Sequence, residues 1–330
     1  MKKLLIIIFI LSISIYITSF MQEEKVDIDT QLKQKATPDY INGLITKSLA
    51  NDDIETAMMY KNLTQFLHIQ VEQNLLDKLK EENSTYKQLT RNTKNFFDGF
   101  VSGDYDNSSK LIGKVASDFT VVGDARDIYN EGNKLYNNED YDKTTLGLSA
   151  IGIGLTASTF FTFGSTAPAK VGVSLLKVAK TSGNISKKLL KVISSKVNNS
   201  VDFGKLKTIN FSSLSGVKKS KDIIKSSINI KPIKKILDYI QVISKNTSNL
   251  DTIKLLKYAD NEKDIATIAK LSKKYKANTL AVFKVLGKGV LKGAKIITKY
   301  SIWFIIQIIS WVGSVILLLI SLIKLKNKGK

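Results

Sequence analysis

Two carboxylates in the middle of the chain, Asp124 and Asp127, have a spacing that acid/base or cation chemistry can use. Residues three positions apart on a helix lie on one face, so both side chains can reach the same proton or divalent cation. Gly123 precedes them, and a glycine can adopt positive φ while an aspartate caps the following helix. We therefore interpret Gly123, Asp124 and Asp127 first as a turn and cap motif, with salt bridges to Arg126 or Lys110, and only second as a catalytic pair.

The composition excludes most other catalytic and metal-binding classes. The 330 residues contain no cysteine and a single histidine, His68, which excludes thiolate chemistry, sulfur-based metal centres and two-histidine metal sites within one chain. The glycines around Gly287 lack the strand and the Gly-Lys-Ser/Thr ending of a phosphate loop. The sequence predicts no catalytic residue, no metal site and no cofactor. A hydrolase of unknown type remains a second alternative.

Charge is distributed unevenly along the chain. Residues 1–143 carry 17 Lys and Arg against 22 Asp and Glu, whereas residues 144–330 carry 33 against 7, and the net charge is +21. All but two of the basic residues are lysines, which bind phosphate as point charges without the bidentate fork of arginine. This pattern favours anionic lipid head groups or an acidic protein as partner over specific nucleic-acid recognition. No small-molecule substrate is evident.

Both ends of the chain have the pattern of membrane segments. Residues 1–20 place two lysines before an apolar run and are followed by four acids, which is typical of a signal peptide or an uncleaved signal anchor. Residues 301–323 contain no charge, and a helix of this length is about 34 Å long, enough to cross the hydrocarbon core. A basic tail, residues 324–330, follows. We predict a transmembrane helix at 301–323.

A third uncharged stretch, residues 144–169, is less apolar, since nine of its residues are Ser or Thr and four are Gly. Its small residues at helical spacing are Gly147, Ala150, Gly154 and Ser158. Such residues let helix backbones approach closely, either in a membrane or in a tightly packed all-α core. We slightly favour a third membrane span over a buried core helix.

The segment before the C-terminal span, residues 279–299, predicts one amphipathic helix. Its polar side carries a stripe of lysines: Lys284, Lys288, Lys292, Lys295 and Lys299. A basic amphipathic helix that enters a membrane span is typical of an interfacial helix that contacts lipid head groups. The alternative is the solvated face of a core helix.

The segment around the two aspartates has a recognisable order of parts. An aromatic residue and a Gly-Asp pair (Phe119 to Asp124) precede a short helix, a charged turn, an apolar Gly/Ala-rich helix and a Lys-containing helix that starts at Pro168. In this order, residues 118–180 resemble the pre-toxin region of bacterial polymorphic toxins. The resemblance implies a membrane-active toxin or effector as an alternative function, and it carries no catalytic residue. The whole chain resembles, more loosely, bacterial envelope proteins of unassigned function.

The predicted fold is all-α, a helical membrane-anchored protein with two or three transmembrane helices. Pro38, Pro168 and Pro232 each stand where a helix is predicted to begin, and strand signals are weak. The predicted regions are a signal or anchor (1–20), an acidic helical region (21–143), a small-residue helix (144–169), a lysine-rich helical region (170–300), a transmembrane helix (301–323) and a basic tail (324–330).

We expect this protein in the bacterial inner membrane, and the charge bias predicts that its acidic N-terminal region lies on the outer, periplasmic side. The side occupied by residues 170–300 depends on whether residues 144–169 span. The expected function is that of an integral envelope protein with an interaction or scaffold role and no evident catalytic activity. Its protein partner cannot be named from the sequence.

Overall fold

Helices make up nearly all of the regular structure in the computed structural model. It describes residues 28–84, 121–159, 167–211 and 220–292, together with six helical positions between 306 and 320. Within these residues the only strand-like pairing is an isolated antiparallel bridge between Val201 and Ile228. The prediction of an all-α fold is confirmed.

The helices are numbered in chain order over the described residues. Their bounds are α1 Ile28–Lys35, α2 Pro38–Ala50, α3 Ile54–Leu67, α4 Gln73–Glu82, α5 Val121–Tyr136, α6 Lys143–Thr159, α7 Ala167–Thr181, α8 Lys187–Asn198, α9 Phe203–Lys207, α10 Lys221–Ser226, α11 Lys231–Asn246, α12 Asn249–Leu256, α13 Glu262–Tyr275 and α14 Thr279–Leu286. A short 3₁₀ turn, Lys276–Asn278, joins the last two.

Local chemistry explains where several of these helices begin. The side chains of Asp53 and Ser186 each accept a backbone N–H from three residues further on, at 3.1 and 3.0 Å, at the starts of α3 and α8. Pro38, Pro168 and Pro232 lie within the first two residues of α2, α7 and α11, as predicted. Proline is tolerated there because its missing N–H has no partner within the helix.

The chain divides into two units, Met1–Gln34 with Gly289–Lys330, and Lys35–Lys288. The core of the second unit is built around α6, α7 and α11. Helix α6 contacts α5, α7, α8 and α10, while α7 also contacts α11 and α12, and α11 packs on α13. In the same unit α2 and α3 form a helical hairpin, with α4 against both and α3 against α14.

The central part of helix α6, residues 146–155, is enclosed by protein on every side. All ten residues from 146 to 155 are buried, which is typical of a helix at the centre of a helical core. This helix covers the first part of the predicted segment 144–169, while residues 160–166 lie outside the described residues. The packing of α6 matches the alternative of a buried core helix in that segment.

Across the described residues, no helix combines the length and the apolar character needed to cross a membrane. The predicted segment 1–20 lies outside these residues, and only six positions of 301–323 lie within them.

The prediction of one continuous helix over residues 279–299 is wrong. Helix α14 ends at Leu286 because Gly287 adopts φ +66° and ψ −158°, a conformation that favours glycine. The Gly287 N–H closes the last turn by donating to the carbonyl of Phe283 at 2.7 Å. The backbone is helical again over residues 289–292.

Candidate functional site

Three charged side chains meet in the interior between α5 and α7. The Nζ atom of Lys177 lies 2.7 Å from Oδ1 of Asp124 and 2.6 Å from Oδ2 of Asp127. The exposed fractions of the three side chains are 3%, 1% and 15%. Ser149 of α6 donates to the same Asp127 oxygen at 3.3 Å, so a third helix takes part. We name these three charged residues the α5–α7 charge cluster.

The start of α5 places both carboxylates of the cluster. The helix begins at Val121, so Gly123 lies inside it and Asp124 lies in its first turn. The predicted turn at Gly123 and N-terminal cap at Asp124 are therefore wrong, because the helix begins three residues before Asp124. The predicted salt bridge between Arg126 and Asp127 is present at 3.3 Å. The ion pairs that both aspartates form with Lys177 were not predicted.

A glycine on α6 makes room for the Asp124 carboxylate. A Cβ atom built on Gly152 would lie within 3.0 Å of Oδ2 and Cγ of Asp124, a separation that real Cβ atoms essentially never show. Helix α6 can therefore pass beside the charge cluster only because this position has no side chain. The small residues of α6 thus serve the polar interior as well as helix packing.

Burial and charge act on the cluster in opposite directions. Burial raises the pKa of Asp124 above its usual range, although Lys177 favours the carboxylate form. Burial opposes the ammonium form of Lys177, but the carboxylates of Asp124 and Asp127 outweigh it and raise the pKa of the lysine. Asp124 therefore protonates more readily than an ordinary aspartate, although it lies beside a buried ammonium.

A second, more exposed ion pair lies one turn further along α7 and joins this helix to the start of α6. Lys180 bonds to the carboxylate of Asp142 and donates to Thr145 Oγ1 at 3.0 Å. Asp142 also accepts the backbone N–H of Thr145 at 3.0 Å, which caps the first turn of α6. Burial opposes the charged form of Asp142, but the hydrogen bonds from Lys180 and Thr145 outweigh it and lower its pKa.

The charge cluster holds three helices together and offers little access to a substrate. Only 3% of the Lys177 side chain and 1% of the Asp124 side chain are exposed. In the described part of the chain, no group of three or more His, Cys, Asp and Glu side chains is arranged to hold a metal ion. The arrangement suits a structural role, in which the ion pairs of Lys177 link α7 to α5 beside α6.

The predicted small residues of α6 lie at close helix contacts. A Cβ atom on Gly147 would lie within 3.0 Å of Val197 on α8, and one on Gly154 equally close to Ile228. Ala150 is completely buried. Ser158 belongs to α6, and its side chain lies outside the described residues.

Three of the five lysines in the predicted stripe lie within the described residues, and the first of them contacts protein. Lys284 is half-buried and donates to Thr56 Oγ1 on α3 at 3.0 Å. Burial, reinforced by the charge of Lys254, lowers its pKa. Lys284 therefore faces protein and not a lipid surface, which corrects its predicted role.

The remaining lysines of the stripe have separate surroundings. Lys288 forms an ion pair with Asp260 at 2.8 Å, and Lys292 is exposed. Lys295 and Lys299 lie outside the described residues. The interruption at Gly287 separates Lys284 from Lys288.

One sequence signal does point to Lys177. It stands between Leu176 and Val178 in the stretch from 172 to 179, all of which is buried. A lysine inside an apolar helical run requires a buried anion as partner, because an unpaired buried charge is strongly unfavourable. That reasoning predicts a carboxylate partner for Lys177, and the tertiary structure provides two.

Comparison with known proteins finds no matching family model, no matching curated protein and no matching solved structure.

Proposed function

We propose that this protein is an integral membrane protein of the bacterial envelope that acts through interactions and not by catalysis. Its helical body, residues 35–288, serves as an interaction scaffold, and its C-terminal segment is the membrane anchor. The proposed location is the inner membrane, with the acidic N-terminal region on the periplasmic side. Anionic lipid head groups and a protein partner are its expected contacts.

The observation that carries this proposal is an exposed aliphatic face near the C-terminus. Its members, which are helical and between 45% and 66% exposed, are Ile306, Ile309, Val312, Ile316 and Ile320. Their spacing of three and four residues puts them on one side of a helix. Leaving a large aliphatic side chain in water forgoes about 1.5–3 kcal/mol of burial free energy. Lipid hydrocarbon removes that penalty for all five side chains at once.

The surrounding sequence also fits contact of this face with lipid. These five residues belong to the 23-residue uncharged segment 301–323, which lysines flank on both sides. The length matches a bilayer core of roughly 30 Å, and flanking lysines reach the head-group region. Lipid is therefore a better match for this face than a soluble protein partner.

The number of proposed spans is two, at residues 1–20 and 301–323. The burial of α6 against four other helices supports its assignment to the protein core and not to a third span. With two spans, the helical body lies on the periplasmic side and the lysine tail lies in the cytoplasm, which agrees with the positive-inside tendency.

The absence of cysteine from the chain makes its topology directly testable. Single cysteines replace Lys205, which is exposed on α9, and Lys326 in the tail, and intact spheroplasts are treated with a membrane-impermeant maleimide. We expect labelling of Lys205→Cys in intact cells, and of Lys326→Cys only after permeabilisation. Labelling of both in intact cells, or of neither, contradicts the proposed topology.

Two measurements test the anchor itself: cysteine labelling of a variant with a charged anchor, and alkaline carbonate extraction of the unaltered protein. For the labelling, Ile309→Lys and Ile316→Lys are added to the Lys326→Cys chain. The tail cysteine should then react with the impermeant reagent in intact cells, because two charges on the apolar face oppose insertion. Ile223→Lys is the matched control, since Ile223 is an exposed isoleucine of α10 outside the C-terminal segment. Release of the unaltered protein by carbonate refutes membrane anchoring.

A membrane-active toxin or effector is the second candidate. One observation favours it: Asp124 and Lys177 form a buried ion pair inside the region that resembles pre-toxin segments, so contacts within this region stabilise it. Addition of the purified protein to dye-loaded vesicles distinguishes the two candidates. Dye release supports a toxin, whereas stable insertion without release supports the anchored scaffold.

A further inference from the structure

One side of α8 lines an open cavity of about 680 Å³. Its polar lining residues are Lys187, Lys191, Ser194, Ser195, Asn198 and Asn199, and Leu190 is its one apolar member. We name this cavity the α8 groove. All six polar side chains can donate hydrogen bonds, and no carboxylate is found among the described residues that line the groove.

The amphipathic sequence of α8 creates the donor-rich face. Leu189, Ile193 and Val197 are buried in the core, so the lysine, serine and asparagine positions are turned outwards. The lining residues recur at intervals of three and four over three helical turns, which is a distance of about 16 Å. Ser194 is held in place by a 2.8 Å hydrogen bond to Thr144 at the start of α6.

No carboxylate of the described residues neutralises the positive charge of the groove. Lys187 and Lys191 are exposed, and neither forms an ion pair with a carboxylate of the described residues. Helix α8 contains four lysines and no acidic residue. Lys196, whose ammonium pairs with Glu262 at 2.8 Å, lies outside the groove lining.

We propose that the α8 groove binds the phosphoglycerol head group of an anionic phospholipid. Lys187 and Lys191 are one helical turn apart and hold the phosphate as two point charges. Ser195 and Asn198 lie one to two turns further on, where their hydroxyl and amide groups bond to the glycerol hydroxyls. Leu190 contacts the carbon backbone of the head group.

The chemistry of the groove favours this occupant over nucleic acid. The described lining residues include no arginine for bidentate recognition and no aromatic side chain on which a base could stack. The inference rests on the proposed function, because a lipid head group reaches the groove only if the protein is held at a membrane.

The test uses the full chain in nanodiscs of phosphatidylcholine, either alone or mixed equally with phosphatidylglycerol. Acetylation of each lysine is followed by mass spectrometry, since only the neutral amine reacts. Phosphatidylglycerol should slow acetylation of Lys187 and Lys191 about fivefold each, the factor that corresponds to about 1 kcal/mol per lysine at an anionic surface. Lys231 and Lys235, which are exposed on α11, should change much less.

A pair of matched variants provides a second readout. Lys187→Gln with Lys191→Gln removes the two groove charges, and Lys231→Gln with Lys235→Gln removes the same charge elsewhere. Native mass spectrometry of protein released from mixed nanodiscs should show retained phosphatidylglycerol for the unaltered chain and the α11 variant. The groove variant should lose it.

Each other outcome overturns the inference in a different way. Equal protection of Lys231 and Lys235 indicates diffuse attraction to the surface without a site. Protection by free glycerol 1-phosphate in phosphatidylcholine discs indicates a soluble ligand. A protein that stays in the discs with unprotected groove lysines refutes the groove alone, whereas a protein that does not stay in the discs refutes the proposed anchoring as well.

Discussion

Replacing Lys177 with methionine tests the structural role of the α5–α7 charge cluster. Methionine approximates the length of the lysine chain but leaves Asp124 and Asp127 without their shared ammonium. Removing one partner of a buried ion pair lowers stability by about 3–5 kcal/mol, because the remaining charge is buried without compensation. We expect a loss in this range for Lys177→Met.

Lys180→Met is the matched control on the same helix. Its ion pair with Asp142 is partly exposed, with 18% and 39% of the two side chains accessible. Exposed ion pairs contribute about 0–1 kcal/mol, so this variant should lose much less stability than Lys177→Met. The assay is denaturant unfolding of the full chain in a mild detergent, followed by helical circular dichroism.

The pH dependence of Lys177→Met gives an independent check. Without the ammonium, burial raises the pKa of Asp124 further above its usual range. A carboxyl whose folded pKa is raised contributes stability that is present below its unfolded pKa and lost as pH rises through the folded pKa. The stability deficit of Lys177→Met should therefore shrink as pH falls from 7 towards 4. Equal losses in Lys177→Met and Lys180→Met, or a deficit that does not change with pH, refute this account of the cluster.

Two further predictions concern α6 and the packing of α3. Gly152→Ala should lower the free energy of unfolding by about 1–3 kcal/mol through overpacking against Asp124. At Gly43 an added Cβ meets nothing within 4 Å, so Gly43→Ala should raise the free energy of unfolding by about 0.5–1 kcal/mol. Thermal melts that rank the two variants in the opposite order contradict the proposed role of Gly152. Burial, reinforced by Tyr258, raises the pKa of Tyr60 to about 12, so an ultraviolet titration should show a late tyrosine transition that is absent from Tyr60→Phe. The stability linked to Tyr60 is present below the ordinary tyrosine pKa and is lost as pH rises through about 12. An ultraviolet titration that Tyr60→Phe leaves unchanged shows that Tyr60 is not the tyrosine with the late transition.

Much of the fold follows from local patterns. The three prolines mark helix starts because a first-turn residue needs no N–H partner. The apolar spacing of α8 turns Leu189, Ile193 and Val197 inwards and its lysines outwards, as amphipathic periodicity requires. These features depend on neighbours a few positions away, so the linear order of residues contains the necessary information.

Helix boundaries set by single residues were harder to predict. The lysine spacing over 279–299 fits one helix, yet Gly287 takes a positive φ and ends α14. Residue type shows only that a glycine can do this, while the packing on either side decides whether it does. The start of α5 at Val121 similarly converts Asp124 from an expected cap into a buried ion-pair partner.

The sequence by itself determined an all-helical chain with an uneven charge distribution, no thiol chemistry and two apolar ends. Only the tertiary structure decided that α6 lies at the centre of a helical core and that Lys177 reaches aspartates about fifty positions away. The physical reason is that helix formation and composition are local properties, whereas the burial of a charge depends on the helices that surround it. An isolated lysine in an apolar helix indicates only that an anion is needed, and the packing of α5 and α7 on α6 determines which anion it meets.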